Sequence, residues 1–480
     1  MKKKEQRKPT FAEALFPMIA MLLILTVGYG VFGFPKEAML VMSAAVTAVV
    51  AFRLGVTWDE MIEGVSEKIA KAMPTILILL AVGVIVSTWM LSGTIPMMIY
   101  YGIQIVNPKF FYVTAFIICA VISTCTGTSW GSMGTIGVVL VIIAQGLGLS
   151  LPITGGAVVG GSYFGDKMSP LSDTTNLAPL AAGSQLYDHI QHMFYTTVPA
   201  AIGAMIFYIV LGLNSNAEVL TNSEKVDMMM ANLDSIFHWN IILLIPIVII
   251  LYGSITRRPT IPVMLLSSAV AGILGVFYQG FTFSDVFTSS VSGFSLDMVR
   301  GTDTAAILPE IEKLLCRGGM NSMQETILLI LCAFSFAGII GRAGCLDVIL
   351  EHLMHVVRTR FTLIAATVVS TITMALATGS DFLTILIPGE LYAPVYKKMG
   401  LAARNLSRTL EDSGTCVVAL IPWSAAGAYA SGALGIATVE YLPYAFFCFF
   451  SVIMALVCAA TGFGILTLEK EEEKEKGRDK

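Results

Sequence analysis

The stretch Gly165-Asp-Lys-Met-Ser-Pro-Leu-Ser-Asp-Thr-Thr-Asn176 lies between two apolar segments, residues 151–164 and 177–182. It carries two carboxylates, an ammonium group, hydroxyls and an amide, and it contains a Pro-Leu break. The surrounding chain is hydrophobic enough to lie in a membrane, so we expect this run at membrane depth. Charge and irregular backbone are costly there, and they are tolerated only where they are buried in protein or line a wet cavity. The stretch therefore predicts an interrupted membrane helix that contributes to a binding site.

The composition predicts an all-α polytopic membrane protein. Of 480 residues, 56% are hydrophobic and 13% are charged, roughly half the charged share of soluble domains. The net charge of −4, without a basic stripe, gives no indication of nucleic-acid binding. The eight cysteines show no metal-ligand spacing, so we expect neither a disulfide framework nor a cofactor. The basic N-terminus precedes a long apolar run without a cleavage site, which favours a retained first span over a signal peptide.

Apolar runs long enough to cross a bilayer recur in the same order in the two halves of the chain. They cover residues 11–32, 38–52, 74–92 and 192–213 in the first half, and 239–252, 261–277, 325–340 and 440–463 in the second. Each half also contains a hairpin with a polar tip (residues 108–149 and 361–395) and an interrupted helix (residues 151–182 and 410–430). The sequence thus predicts ten spans, two of them interrupted helices, plus two re-entrant hairpins.

Five landmarks support an internal repeat. The run 75–80 matches 326–331, Gly93 matches Gly344, Thr126-Gly127 matches Thr378-Gly379, Pro170 matches Pro422, and Ser172 matches Ser424. Basic residues favour the cytoplasmic side of short loops. This rule places the loops 53–72 and 404–408 inside, and the loops 214–238 and 281–324 outside. The halves then enter the membrane from opposite sides, as a 5+5 inverted repeat with both termini cytoplasmic.

The predicted boundaries follow from this topology. Residues 1–10 form a cytoplasmic segment, 11–213 the first repeat, 214–238 an extracytoplasmic linker, 239–466 the inverted second repeat, and 467–480 a charged cytoplasmic tail. Inverted repeats with broken helices are the usual construction of secondary transporters, whose sites lie near the bilayer midplane. No nucleophile–base pair or nucleotide loop indicates an enzyme, and paired breaks argue against a channel.

Asp173 is the first choice for an ion-binding carboxylate, because it follows the Pro-Leu break among hydroxyl groups. A buried Asp can exchange one proton for one Na⁺, since desolvation disfavours its charge and a bound cation favours it. An Asp that caps the second half-helix at Thr174 is the structural alternative. Further oxygen ligands for Na⁺ are expected from Ser172, Thr174, Thr175 and Asn176, although hydroxyls in membrane helices often bond backbone carbonyls instead.

The two hairpin tips and two charged clusters complete the predicted site. Oxygen atoms could converge from Thr126, Thr128, Ser129, Thr378, Ser380, Asp381 and Ser424, or these could be ordinary turn residues. Lys167 could pair with Asp166, or with Asp173 when the cation is absent; a salt bridge at a helix end is the alternative. Three residues, Arg404, Arg408 and Glu411, share one helical face beside Asp412. They could form a gate, an anchor for an anionic substrate or an interfacial salt-bridge cluster.

The stretch 165–178, together with Leu406-Ser-Arg-Thr-Leu-Glu-Asp-Ser-Gly-Thr415 and Ile421-Pro-Trp423, resembles the NhaC family of bacterial Na⁺/H⁺ antiporters. The resemblance implies a plasma-membrane antiporter with a moving transport domain, often dimeric, in which the run from Ser169 to Thr175 serves the ion. The family also includes Na⁺-lactate/malate-proton antiporters. Family members often carry Asn after Ile-Pro-Trp, where this chain has Ser424, which leaves fewer ligands in the second break.

We therefore expect Na⁺/H⁺ exchange by alternating access, with Asp173 as the shared carboxylate and Asp381 as a second one. The alternative is Na⁺-coupled antiport of a small organic acid, whose carboxylate would meet half-helix N-termini and Arg404 or Arg408. The bilayer, Na⁺ and H⁺ are the expected partners in both cases.

Overall fold

The chain folds into an all-helical membrane protein, seen here in a computed structural model that describes residues 6–105, 107–215, 223–256, 258–300 and 307–468. Its helices in chain order are α1 Phe11–Ile24, α2 Lys36–Arg53, α3 Trp58–Leu91, α4 Thr94–Ile105, α5 Phe111–Thr126, α6 Ser129–Ser132, α7 Val138–Gly146, α8 Leu151–Met168, α9 Asp173–Ala182, α10 Leu186–Leu213, α11 Ser223–Ile236, α12 Ile245–Ile255, α13 Thr260–Phe277, α14 Phe283–Ser292, α15 Pro309–Leu315, α16 Gln324–Arg342, α17 Cys345–His355, α18 Arg360–Thr378, α19 Asp381–Lys398, α20 Ala403–Leu410, α21 Cys416–Val418, α22 Ala425–Leu434, α23 Thr438–Tyr441 and α24 Phe446–Thr461. Within these ranges the only β-type pairing is one bridge between Leu401 and Thr467.

Eight helices in the described ranges are long and apolar enough to cross a bilayer, or ten if each of two bent pairs counts as one span. Large apolar side chains are exposed on their outer faces, including Ile19 of α1, Ile206 of α10 and Leu266 of α13. Lipid tails can cover such faces, whereas water cannot do so without cost. The predicted class of polytopic all-α membrane protein is confirmed.

The polar breaks interrupt the helices where the sequence predicts them. In the first hairpin α5 ends at Gly127 (φ +69°), and in the second α18 ends at Gly379 (φ +60°). The backbone is left-handed at both positions, a conformation that glycine adopts without the penalty of a Cβ atom. One interrupted helix consists of α8 and α9, and the other runs from α20 through α21 to α22.

One pair of repeat landmarks, Ser172 and Ser424, caps a half-helix in each half of the chain. Ser172 caps α9 by accepting a hydrogen bond from the Thr175 N–H, and Ser424 caps α22 by accepting one from the Gly427 N–H. Both caps follow directly on a break, so the two half-helices begin in the same way. The predicted repeat is thereby supported at the level of backbone geometry, while the entry of its halves from opposite membrane sides stays a prediction.

Four predicted loops contain helices instead, and the first of them, residues 281–324, contains α14 and α15. The predicted loop 53–72 is mostly part of α3, a helix of 34 residues that begins with a capping box between Thr57 and Glu60. The segment 214–238, predicted as a linker, contains α11. Residues 404–408, predicted as a cytoplasmic loop, lie in α20 and are buried. The charged residues of these segments lower their mean hydropathy, so hydropathy alone does not indicate the helices.

Glycine contacts bring α8 close to α5. A Cβ atom on Gly161 would collide with the Phe116 carbonyl, and one on Gly165 would collide with the Ala120 carbonyl. Membrane helices associate closely through such small residues. The Ser123 hydroxyl of α5 also donates to the Ser162 carbonyl at 2.6 Å. This packing fixes the end of α8, and therefore the position of Asp166, against the first hairpin.

The segment after α24 is attached to the start of α20. Asn405 exchanges two hydrogen bonds with the Leu466 backbone, at 2.6 and 3.0 Å. The Ala402 N–H donates to the Leu466 carbonyl at 3.0 Å, and Arg408 donates to the Gly464 carbonyl at 2.7 Å. The polar groups at the start of α20 are therefore satisfied largely by residues close to the end of the chain.

Candidate functional site

Asp166, near the C-terminal end of α8, is the most enclosed carboxylate of the first break, with 5% of its surface exposed. The Ser129 hydroxyl, in α6 just past the first hairpin tip, donates to its Oδ2 at 3.0 Å. In the described part of the chain no lysine or arginine forms an ion pair with Asp166. Its charge is therefore available to a proton or to a small cation.

Asp381 opens α19 at the second hairpin tip, and the charge of Asp166 acts on it. Its Oδ1 is buried and has no hydrogen-bond partner among the described residues. Tyr163 lies one turn before Asp166 on α8, and the charges of both carboxylates act on it. Its hydroxyl is also buried, without a hydrogen-bond partner among the described residues. Two neighbouring carboxylates without a cation cannot both carry charge cheaply. The pair therefore favours a bound cation or a proton.

Glu411 is a third buried carboxylate, on the π-helical segment Glu411–Thr415 that continues α20. Its Oε2 accepts a hydrogen bond from the Thr415 hydroxyl at 2.6 Å, while Oε1 is buried without a partner in the described structure. The charge of Asp166 acts on Glu411. No three His, Cys, Asp or Glu side chains of the described ranges converge as they would around a tightly held metal ion.

Lys167 is paired with Asp412 across the two interrupted helices, with Nζ 2.6 Å from Oδ1, and both side chains are fully buried. The same oxygen accepts hydrogen bonds from the hydroxyls of Thr196 (3.0 Å) and Ser451 (3.1 Å). The prediction that Lys167 pairs with Asp166 or Asp173 is therefore wrong. The side chain of Lys167 leaves α8 in a different direction from that of Asp166, and it meets an acid 245 residues further along the chain.

Asp173 is exposed, so the prediction that it is the buried carboxylate of the site is wrong. It is the first residue of α9, and Ser172 rather than Asp173 accepts the capping hydrogen bond. The charge of Asp173 nevertheless reaches Asp166. Asp173 is therefore a neighbour of the enclosed site, and an acid in the first turn of α9 also suits the helix dipole.

The other polar residues of the first break bond mainly to nearby groups. The Thr175 hydroxyl donates to the carbonyl of Asp166 at 3.0 Å, and the Asn176 amide donates to that of Ser172 at 2.6 Å. Thr174 is buried, with its hydroxyl 3.1 Å from that of Ser172. These contacts correspond to the alternative in which hydroxyls satisfy the free carbonyls of a broken helix.

The remaining tip residues behave in the same way. Thr128 caps α6 by accepting the Gly131 N–H, and Thr378 donates to the Met374 carbonyl at 2.7 Å. Thr126 makes a long contact with the Ser123 carbonyl, and Ser380 is the N-cap residue of α19 without a side-chain hydrogen bond. Of the predicted tip residues, Ser129 and Asp381 are therefore the ones whose side chains face the buried carboxylates.

Buried polar side chains connect α10 to α20 through an ion pair and hydrogen bonds. Arg404 pairs with Asp188 at 3.3 Å, His192 lies 3.1 Å from the Asn405 Oδ1, and Thr196 bonds Asp412. His189 Nδ1 lies 2.8 Å from the Ser407 hydroxyl. The predicted interfacial cluster at Arg404, Arg408 and Glu411 is thus buried. Arg404 pairs with a residue of α10, Arg408 donates to the segment after α24, and Glu411 accepts a hydrogen bond within its own helix.

Several of these partners were missed from the sequence. Asp188, His192 and Thr196 recur every four residues, and His189 precedes His192 by three, which places them near one face of α10. This spacing could have been recognised as a polar stripe on a membrane helix. Ser451, by contrast, is a single hydroxyl in an apolar helix, and nothing in its surroundings distinguishes it.

The fold and site define a polytopic membrane protein in which two interrupted helices and two hairpin tips enclose unpaired carboxylates. Residues 161–463 match the model of the Na⁺/H⁺ antiporter family. The chain is 47% identical to an uncharacterized Na⁺/H⁺ antiporter of Haemophilus influenzae over 97% of this chain and 98% of that one. It is 36% identical to the Na⁺/H⁺ antiporter NhaC of Alkalihalophilus pseudofirmus (96% and 97%), and 29% identical to a malate-2H⁺/Na⁺-lactate antiporter of Bacillus subtilis (96% and 96%).

The chain therefore belongs to the Na⁺/H⁺ antiporter family. The resemblance to NhaC that its two motifs indicated is confirmed, and it extends over nearly the whole length of the chain.

Proposed function

We propose that this protein exchanges Na⁺ for H⁺ across the plasma membrane by alternating access, and that Asp166 is the carboxylate on which the two cations compete. Asp381 and Glu411 are assigned as further acids that stabilise the bound cation or carry a proton. Family membership supports the exchange of these ions. The site itself supports the choice of residues.

The single observation that carries the proposal is the absence of a basic partner for Asp166 in the described structure. An ionised carboxylate removed from water is expensive unless a cation or hydrogen bonds compensate for it. Lys167, the nearest basic residue in sequence, is engaged by Asp412. Protonation and Na⁺ binding are therefore the two ways to stabilise Asp166, and each excludes the other.

The position of Asp166 suits alternating access. Its hydroxyl partner Ser129 is in the first repeat, and the acid on which its charge acts, Asp381, is in the second. A movement that separates the hairpin tips would change the surroundings of the carboxylate on both sides. We assign both termini to the cytoplasm, Na⁺ and H⁺ as transported ions rather than cofactors, and a homodimer as the assembly.

Proteoliposomes that contain a pH-sensitive dye and the full chain test the assignment. A Na⁺ gradient imposed without any organic acid should move protons in the opposite direction. Asp166→Asn keeps the shape of the side chain but can neither release a proton nor neutralise Na⁺, so its exchange should fall to the rate of empty liposomes. Asp173→Asn is the matched control, because it changes an exposed acid seven residues away, and it should retain exchange.

Two results would contradict the proposal. Exchange by Asp166→Asn at the rate of the unmodified protein would remove Asp166 from the site. Loss of exchange in Asp173→Asn alone would return the carboxylate role to the first turn of α9. Size-exclusion profiles and unfolding temperatures of both variants distinguish loss of transport from loss of fold.

A further inference from the structure

His189 is a fully buried imidazole on α10 that has no role in the exchange proposed above. Its Nδ1 lies 2.8 Å from the Ser407 hydroxyl on α20, and that hydroxyl lies 3.2 Å from the hydroxyl of Ser184. Ser184 is half-buried in the turn between α9 and α10. Two hydroxyl groups therefore connect one nitrogen of the buried ring to the surface of the protein.

The turn between α9 and α10 lies on the predicted cytoplasmic side of the membrane. Helix α10 leads to the segment 214–238, which the distribution of basic residues places outside, so the first residues of α10 lie at the opposite face. The same rule places residues 404–408, which include Ser407, inside. The hydroxyl groups beside His189 thus lead towards the cytoplasm.

The second ring nitrogen of His189, Nε2, is buried and makes no hydrogen bond with any described residue. The charges of Lys167 and Arg408 act on the ring, and the charge of Lys167 also acts on the buried acid Glu411. Asp412 neutralises Lys167, and the unpaired Glu411 follows Arg408 by three residues. Positive and negative charges therefore balance in this region, and the imidazole has no net charge to compensate.

We propose that His189 relays protons between the buried acids and the cytoplasm; the inference rests on the proposed Na⁺/H⁺ exchange. A neutral imidazole has one N–H donor and one acceptor nitrogen. Nε2 takes a proton from the acids while Nδ1 gives its own to the Ser407 hydroxyl, which passes one on to Ser184. One N–H bond forms as the other breaks, so the ring stays neutral in its other tautomer, and the reverse transfer restores it. Histidines in membrane helices form such proton relays in pumps and transporters.

The relay is interrupted at Nε2 in this structure, because that nitrogen has no hydrogen bond towards the acids. Coupled exchange requires an interruption in one of the two access states, since a continuous path would let protons cross without Na⁺. A helix movement that brings an acid within about 2.6–3.2 Å of Nε2, the range for proton transfer, completes the path.

Two modes of exchange in proteoliposomes of the full chain separate proton transfer from cation binding. Exchange of radiolabelled Na⁺ for unlabelled Na⁺ at equal pH needs the cation site and alternating access, but no proton path. Na⁺-driven proton movement needs the proton path as well. The ratio of the two rates therefore reports on proton transfer, whereas a loss of structure slows both.

His189→Asn places an amide near the position of Nδ1, so the hydrogen bond to Ser407 can persist, but an amide cannot take up and release the proton. We expect Na⁺-driven proton movement to slow by roughly 100-fold, the lower end of what a positioned proton-transfer group contributes. Na⁺/Na⁺ exchange should keep its rate. Ser407→Ala interrupts the relay on the other side of the ring and should change the ratio in the same direction, including in the case that His189→Asn does not fold.

His192→Gln is the matched control, because it changes the next histidine on α10 and its amide can still donate to Asn405; both rates should persist. Equal slowing of both modes in His189→Asn would overturn the inference, since it would show a structural role. Proton movement at the unmodified rate in either relay variant would overturn it too. If the unmodified protein moves no protons in response to Na⁺, the proposed exchange fails; if it does and the variants match it, only the relay is refuted.

Discussion

The buried pair of Lys167 and Asp412 allows a quantitative test of how the two interrupted helices are held together. Lys167→Met replaces the ammonium with an apolar side chain of similar length and leaves Asp412 fully buried. Removing one partner of a buried pair typically costs about 3–5 kcal/mol of the free energy of unfolding. Because Thr196 and Ser451 still donate to the Asp412 carboxylate, we expect a loss near the lower end, about 3 kcal/mol.

The double variant Lys167→Met, Asp412→Leu, compared with the two single variants, measures the interaction energy between the two side chains. Replacing both charges with apolar groups is often neutral or stabilising. We expect the double variant to recover at least about 2 kcal/mol of what the single variant loses, which is a coupling energy in the range for contacting residues. Asp412→Leu alone leaves the Lys167 ammonium unpaired, and it should be destabilised about as strongly as Lys167→Met.

Unfolding by sodium dodecyl sulfate in mixed micelles, followed by far-ultraviolet circular dichroism, measures these differences. Lys8→Met is the control, since Lys8 and Glu351 form an exposed ion pair at 3.6 Å, and exposed pairs contribute little to stability. A Lys167→Met protein as stable as the unmodified one would refute the reasoning. So would a double variant no more stable than Lys167→Met.

Two further predictions concern the site and its support. Asp381→Asn removes a carboxylate that interacts with Asp166, so the Na⁺ concentration that gives half-maximal exchange should rise by roughly tenfold in proteoliposomes. An unchanged value would exclude Asp381 from the cation site. Gly161→Leu places a side chain where the Phe116 carbonyl lies, so α8 should separate from α5 and the unfolding temperature should fall. Gly341→Ala is the control, because its new Cβ atom has no neighbour within 4 Å, and it should leave the unfolding temperature nearly unchanged. Equal unfolding temperatures for these two variants would contradict the packing argument.

The sequence predicted the positions of the breaks well, because their causes are local. A glycine in the left-handed conformation ends a helix through its own backbone, as Gly127 and Gly379 do. A serine two residues after a proline caps the next half-helix, as Ser172 and Ser424 do. These features depend on neighbouring residues, so reading along the chain was enough to find them.

The choice between Asp166 and Asp173 could not be made in this way. Both acids lie in one polar stretch, and their difference in burial depends on the contact of α8 with α5 and on Ser129. The partner of Lys167 likewise lies 245 residues away. Local sequence showed that charges lie at the break, while distant packing decides which of them are enclosed.

The attachment of residues 464–466 to α20 has a consequence for biosynthesis. Asn405 and Arg408 find backbone partners that are synthesised 61 and 56 residues later. While the ribosome is still adding α24, these two polar side chains must enter the membrane unsatisfied or wait at its surface. Insertion of α20 is therefore expected to be a late step in the maturation of the protein, completed after the neighbouring apolar spans have already settled in the lipid.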